Sequence, residues 1–136
     1  MSKSIYDKFK TNKSAEQEGI TLDYGDGQTI KIARAGGSNV RFEKAAQAKM
    51  RKFGLQAKHD LLEPEQMRTI FREVLAETVV LGWTGFTDEQ GNDLPFSKEN
   101  VVKVFTDLPD LFDDVLEQSR KASLFKETIL EEEAKN

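Results

Sequence analysis

Hydrophobic and polar residues alternate twice near the start of the chain. Ile20-Thr-Leu-Asp-Tyr24 and Thr29-Ile-Lys-Ile-Ala33 both follow the period of a strand, and Gly25-Asp-Gly27 between them is a turn signal. Together they predict a β-hairpin, which Gly36-Gly37 ends. The period then changes. Phe42, Ala45, Ala46, Met50 and Phe53 fall on one face of a helix that Ser38 or Asn39 caps and that runs to about Lys52. Gly54 ends or kinks it. The strongest helical pattern opens at Glu63 or Pro64 and carries Met67, Ile70, Phe71, Val74, Leu75, Thr78 and Val79 along one stripe.

The segment from Leu81 to Asn100 has another character. Trp83, Phe86, Leu94 and Phe96 are too apolar to stand idle in water, whereas Asp88, Gly91, Asn92 and Asp93 form turns. A tight ribbon with its aromatic side on the neighbouring helices satisfies both sets. Ser97 then caps a short helix bearing Val101, Val102 and Phe105. Another begins at Pro109, with Leu108, Leu111, Phe112, Val115 and Leu116 as its apolar face. Asp110, Asp113, Asp114 and Glu117 crowd its opening turns and Arg120 and Lys121 its end, as a helix dipole favours.

These elements predict a mainly α fold, α+β at the margin: a compact domain of about four to five helices with an N-terminal hairpin and a small Trp-containing ribbon. The expected organisation is a mobile arm or marginal helix over residues 1–18, one domain over 19–130, and a frayed acidic tail over 131–136. With 136 residues the chain supports a single modest core. It contains no cysteine, so disulfides and thiolate chemistry are excluded. No apolar run reaches membrane-spanning length and the N-terminus has no apolar signal core, so no membrane partner is expected.

Charge adds an asymmetry to this picture. Residues 1–60 carry a net +5 and residues 61–136 a net −9. The halves either neutralise each other within one fold or steer head-to-tail contacts or a charged partner. Arg41, Lys44, Lys49, Arg51 and Lys52 make one helix basic, but Phe42 and Phe53 share its apolar stripe, so nucleic-acid binding is not expected.

No catalytic, cofactor-binding or metal-binding constellation emerges. His59 is the one histidine and reads as a polar linker residue. The glycine pairs match no phosphate-binding motif, and the aspartates at 107, 110, 113 and 114 lack the ligand spacing of a calcium loop. The expectation is a protein that is not an enzyme. One candidate partner-binding cluster stands near the C-terminus: Leu124, Phe125, Ile129 and Leu130. It is either a docked final helix or an exposed patch.

An ordered set of segments resembles the tail assembly chaperones of long-tailed bacteriophages. The stretch Leu-Gly-Trp-Thr-Gly-Phe-Thr-Asp-Glu-Gln-Gly-Asn-Asp-Leu-Pro-Phe-Ser-Lys-Glu-Asn at 81–100 carries most of it. Glu18-Gly19-Ile20, Leu22 to Asp26, Ile30 to Asn39, Thr106 to Phe112 and Lys135-Asn136 extend it over nearly the whole chain. The resemblance implies a non-catalytic helper in the host cytoplasm. Such helpers hold the tail tape measure protein soluble until the tube protein polymerises around it, and are absent from the mature virion. It also implies a longer form, made by ribosomal frameshifting near the end of the reading frame, whose extension recruits the tube protein. Ala134-Lys135-Asn136 permits the slippery codons GCA AAA AAC. The alternative is a small structural connector of the virion or a host-directed regulatory binding protein.

Overall fold

The computed structural model describes residues 4–54 and 62–126. Within them, six α-helices accompany a three-stranded antiparallel sheet. The helices are α1 (Ile5–Phe9), α2 (Lys13–Glu18), α3 (Val40–Met50), α4 (Pro64–Thr78), α5 (Lys98–Asp107) and α6 (Pro109–Arg120). The strands are β1 (Ile20–Asp23), β2 (Thr29–Ile32) and β3 (Val80–Thr84). The mainly helical expectation holds. The segment outside α1–α2 supplies four of the helices, and the N-terminal segment adds two.

The expected hairpin is present, with Ile20 opposite Ile32 and Leu22 opposite Ile30. The Trp83 segment differs from the expectation. Its ribbon forms beyond residue 85, but Val80 to Thr84 also pairs as the third strand of the hairpin's sheet, placing Ile30 opposite Trp83 and Thr29 opposite Thr84. The reason lies in the long pattern of α4, whose helix ends at Thr78, so that Val80 to Thr84 is released as an extended run. One face of β2 faces the core through Ile30 and Ile32, while Lys31 is exposed. Leu75, Val79, Val101, Phe105, Phe112 and Val115 from α4, α5 and α6 complete that core.

Caps place the helices. Pro64 starts α4 behind a reciprocal capping pair, in which Gln66 accepts from the Glu63 amide at 2.8 Å. Ser97 Oγ accepts the Asn100 amide at 3.0 Å and starts α5. Neither Ser38 nor Asn39 uses its side chain to cap α3. The fully buried Asn39 donates instead to the carbonyls of Arg34 (2.9 Å) and Thr78 (3.0 Å), joining the end of the hairpin to α4.

The expected N-terminal arm divides in two. Asn12 caps α2, and Ala15 and Glu16 are buried, so residues 12–18 belong to the packed domain. The carboxylate of Glu16 pairs with Arg34 and accepts from Ser38 Oγ at 3.0 Å. Gly37 has a positive φ of 54°, and a side chain there would run into the Glu16 carboxylate. Burial alone would raise the Glu16 carboxyl. The hydrogen bonds from Arg34 and Ser38, with the charge of Arg34, outweigh it and hold the group below its ordinary range. Burial likewise opposes ionisation of Glu77, and bonds from Lys98 and Lys49 overcome it.

A depressed folded-state value fixes the sign of the pH dependence. Both carboxylates contribute stability that is fully present above their unfolded values and is lost as pH falls through the folded ones. The urea midpoint should therefore fall on acidification below about pH 4.5. Glu16→Gln should lose about 2 kcal/mol at neutral pH and show a shallower acid limb. A variant as acid-sensitive as the wild type would exclude Glu16 from this dependence.

Candidate contact surface

The ribbon after β3 is built from hydrogen bonds that its turn residues supply. Asp88 Oδ1 accepts the amides of Gln90 and Asn92, both at 2.9 Å, and the Leu94 amide donates to the Phe86 carbonyl at 2.9 Å. Trp83 locks the ribbon to the sheet. Its Nε1 donates to the Leu94 carbonyl at 2.9 Å, its ring stacks on Phe86 at 4.7 Å between centroids, and Phe96 meets it edge-on at 5.4 Å. Gly85, with φ of 72°, lets the ribbon pass the hairpin turn, because a Cβ there would run into the Gly27 carbonyl oxygen.

Between this ribbon, the hairpin turn and the junction of α5 with α6 lies an open groove of about 320 Å³. Phe86 and Leu94 form one wall; Val104, Leu108 and Leu111 form the other. Tyr24 and Gln28 of the hairpin close one end. Leu108 is 53% exposed, since it precedes Pro109 at the corner where α5 hands over to α6. Tyr24 Oη donates to Asp114 Oδ2 at 2.6 Å. Burial and then that carboxylate push the Tyr24 phenol well above its usual range, so it remains a donor at any physiological pH. Asp107 and Asp110 lie beside Leu108 and Leu111 in the sequence. The groove thus has an apolar lining, with Tyr24, Gln28 and Thr87 as its polar members.

The terminal cluster is not brought together as one exposed patch within the described residues. Phe125 is 0% exposed and Leu124 is half-buried, both in a 3₁₀ turn over Ala122–Phe125. The Asn12 amide donates to the Phe125 carbonyl at 2.6 Å. Phe125 is therefore a core residue that fastens this turn to α2, not a surface contact. Ile129 and Leu130 lie outside the described residues, as do His59, the acidic tail and Lys135-Asn136.

Large apolar side chains do stand in solvent elsewhere. On α1, Ile5, Tyr6 and Phe9 are 62, 80 and 73% exposed. Sequence reasoning placed these residues in an arm but gave them no role. The signal was present in Ser4-Ile-Tyr-Asp7, a capping box that the structure forms at both bonds (3.1 and 3.2 Å). The groove left no such local trace, because its lining comes from three separated segments.

Among the described residues no cluster of three histidine, cysteine or carboxylate side chains is placed to hold a metal, and no helix is long and apolar enough to cross a membrane. The fold and this surface define a small, mainly helical α+β domain with an open apolar groove and a separate exposed apolar helix. The chain belongs to the YdaY prophage protein family, whose model matches residues 37–136, and is a phage-related protein. No curated protein and no solved structure matches it.

Proposed function

We propose that the protein is a non-catalytic tail assembly chaperone. It binds the phage tail tape measure protein in the host cytoplasm and keeps it soluble while the tail is built. The observation that carries this reading is exposed apolar surface at two separate places on a small acidic domain: Ile5, Tyr6 and Phe9 on α1, and Leu108 with Tyr24 at the groove. Surface of this kind serves contact with other chains. The resemblance at 81–100 supplies the client, and membership of a prophage family agrees with a phage setting.

The physical need is plain. A long amphipathic helical chain without its surrounding tube exposes apolar stripes that aggregate. Many weak contacts from a small helper cover such stripes and can be shed one at a time. In this reading a frameshift at Lys135-Asn136 yields a minor, extended form that recruits the tube protein. Co-expression with the phage's long helical tape measure protein should move that protein into the soluble fraction, bound to this chain. A tape measure protein that stays insoluble in its presence would refute the proposal. Stoichiometric recovery of this chain from purified virions would instead mark a structural connector.

A further inference from the structure

We infer that residues 127–133 of the same chain fold back over the exposed face of α1 and cover it. The cover regulates a surface that the proposed function uses, and in that respect it rests on that reading. The contact itself lies within one chain and needs no client.

Helix α1 requires a cover. It has five residues, none of them buried against the described chain. A helix so short does not persist alone in water, where isolated helices need about 12–15 residues. The Ser4–Asp7 capping box satisfies amides of its first turn but buries no apolar surface. Ile5, Tyr6 and Phe9, with Lys10, line a hollow of about 350 Å³ to which no other described residue contributes.

Position, reach and charge name the C-terminal segment as that cover. Thr11 and Lys126 pair as an antiparallel bridge, and the Asn12 amide donates to the Phe125 carbonyl at 2.6 Å. The arm therefore enters the domain at the point where residue 127 leaves it. One further step of that antiparallel register sets Glu127 opposite Lys10. The four residues from Glu127 to Leu130 span up to about 14 Å when extended. Helix α1 is only about 8 Å long, so Ile129 and Leu130 reach Phe9 and Tyr6. Residues 127–133 hold four glutamates and no basic residue. Residues 8–13 hold Lys8, Lys10 and Lys13 and no acid. None of these three lysines makes an ion pair with a described residue. Ile129 and Leu130 thus meet the apolar face while the glutamates meet the lysines beside it. A chain that takes Ile5, Tyr6 and Phe9 must first displace this segment.

Amide hydrogen exchange on the full chain, read by NMR, tests the contact. The Lys8 and Lys10 amides donate to the carbonyls of Ser4 and Tyr6. They should exchange about tenfold or more slowly in the wild type than in Ile129→Asp with Leu130→Asp. Glu127→Lys should also speed exchange at Lys8, and adding Lys10→Glu should slow it again, because the swap restores the pair. Thermal melts check that each variant keeps its core. Protection should not change with protein concentration, as a contact within one chain requires. Wild-type amides that exchange at the unstructured rate would overturn the inference. So would equal protection in Ile129→Asp with Leu130→Asp, or a charge swap that restores nothing. Protection that is lost on dilution would overturn it too, since the cover would then come from a second copy. All of these measurements use the chain alone, so their failure would leave the tape measure reading to its own co-expression test.

Discussion

Trp83→Ala should lower the stability of the domain by about 3 kcal/mol. Three losses combine there. The indole leaves the stack with Phe86 and the edge contact with Phe96, its N–H no longer meets the Leu94 carbonyl, and the floor over Ile30 opens. For a domain of this size that is a large part of the total. The readout is the urea midpoint by circular dichroism, because the substitution removes the only tryptophan fluorophore. Trp83→Phe should separate the terms. It keeps a ring and removes the hydrogen bond, at a cost of about 1 kcal/mol. Since Phe86 and Leu94 also line the groove, the alanine variant should loosen that wall even below its melting range. An unchanged midpoint would place Trp83 outside the packed structure.

Phe125→Ala should have an effect of similar size, about 3–4 kcal/mol, because the ring is fully buried. It fastens the two ends of the described structure to each other. The Asn12 amide bonds to its carbonyl, and Thr11 and Lys126 form an isolated bridge alongside. Loss of the ring should free α2 and expose the amides around Ala15, which hydrogen exchange would detect as local opening before global unfolding. Leu124→Ala, at a half-buried site, should cost much less. Equal effects of the two, or full protection of α2 in Phe125→Ala, would contradict this account.

Most of the helices were legible in the sequence because their signals are local. The spacing from Met67 to Val79, the proline at 64 and the serine at 97 each act within a few residues, and α4 and α5 start where those signals stand. Pairings were less legible. Nothing in the residues around Trp83 states that they meet Ile30, some fifty positions earlier, so the sheet read as two separate ribbons. The arm was misjudged for a related reason. Lys13 to Glu18 looks like solvated surface until Arg34 and Ser38 arrive from another element to satisfy Glu16. Phe125 shows the converse, since an apolar residue in a charged segment reads equally as patch or core until its neighbours are known.

The groove draws its lining from residues 24–28, 86–94 and 104–111, and the Tyr24 hydroxyl finds its acceptor ninety positions later at Asp114. The groove exists only once α6 has been made and folded back on the hairpin. A nascent chain therefore has no such surface to offer until the hairpin and α6 are both in place.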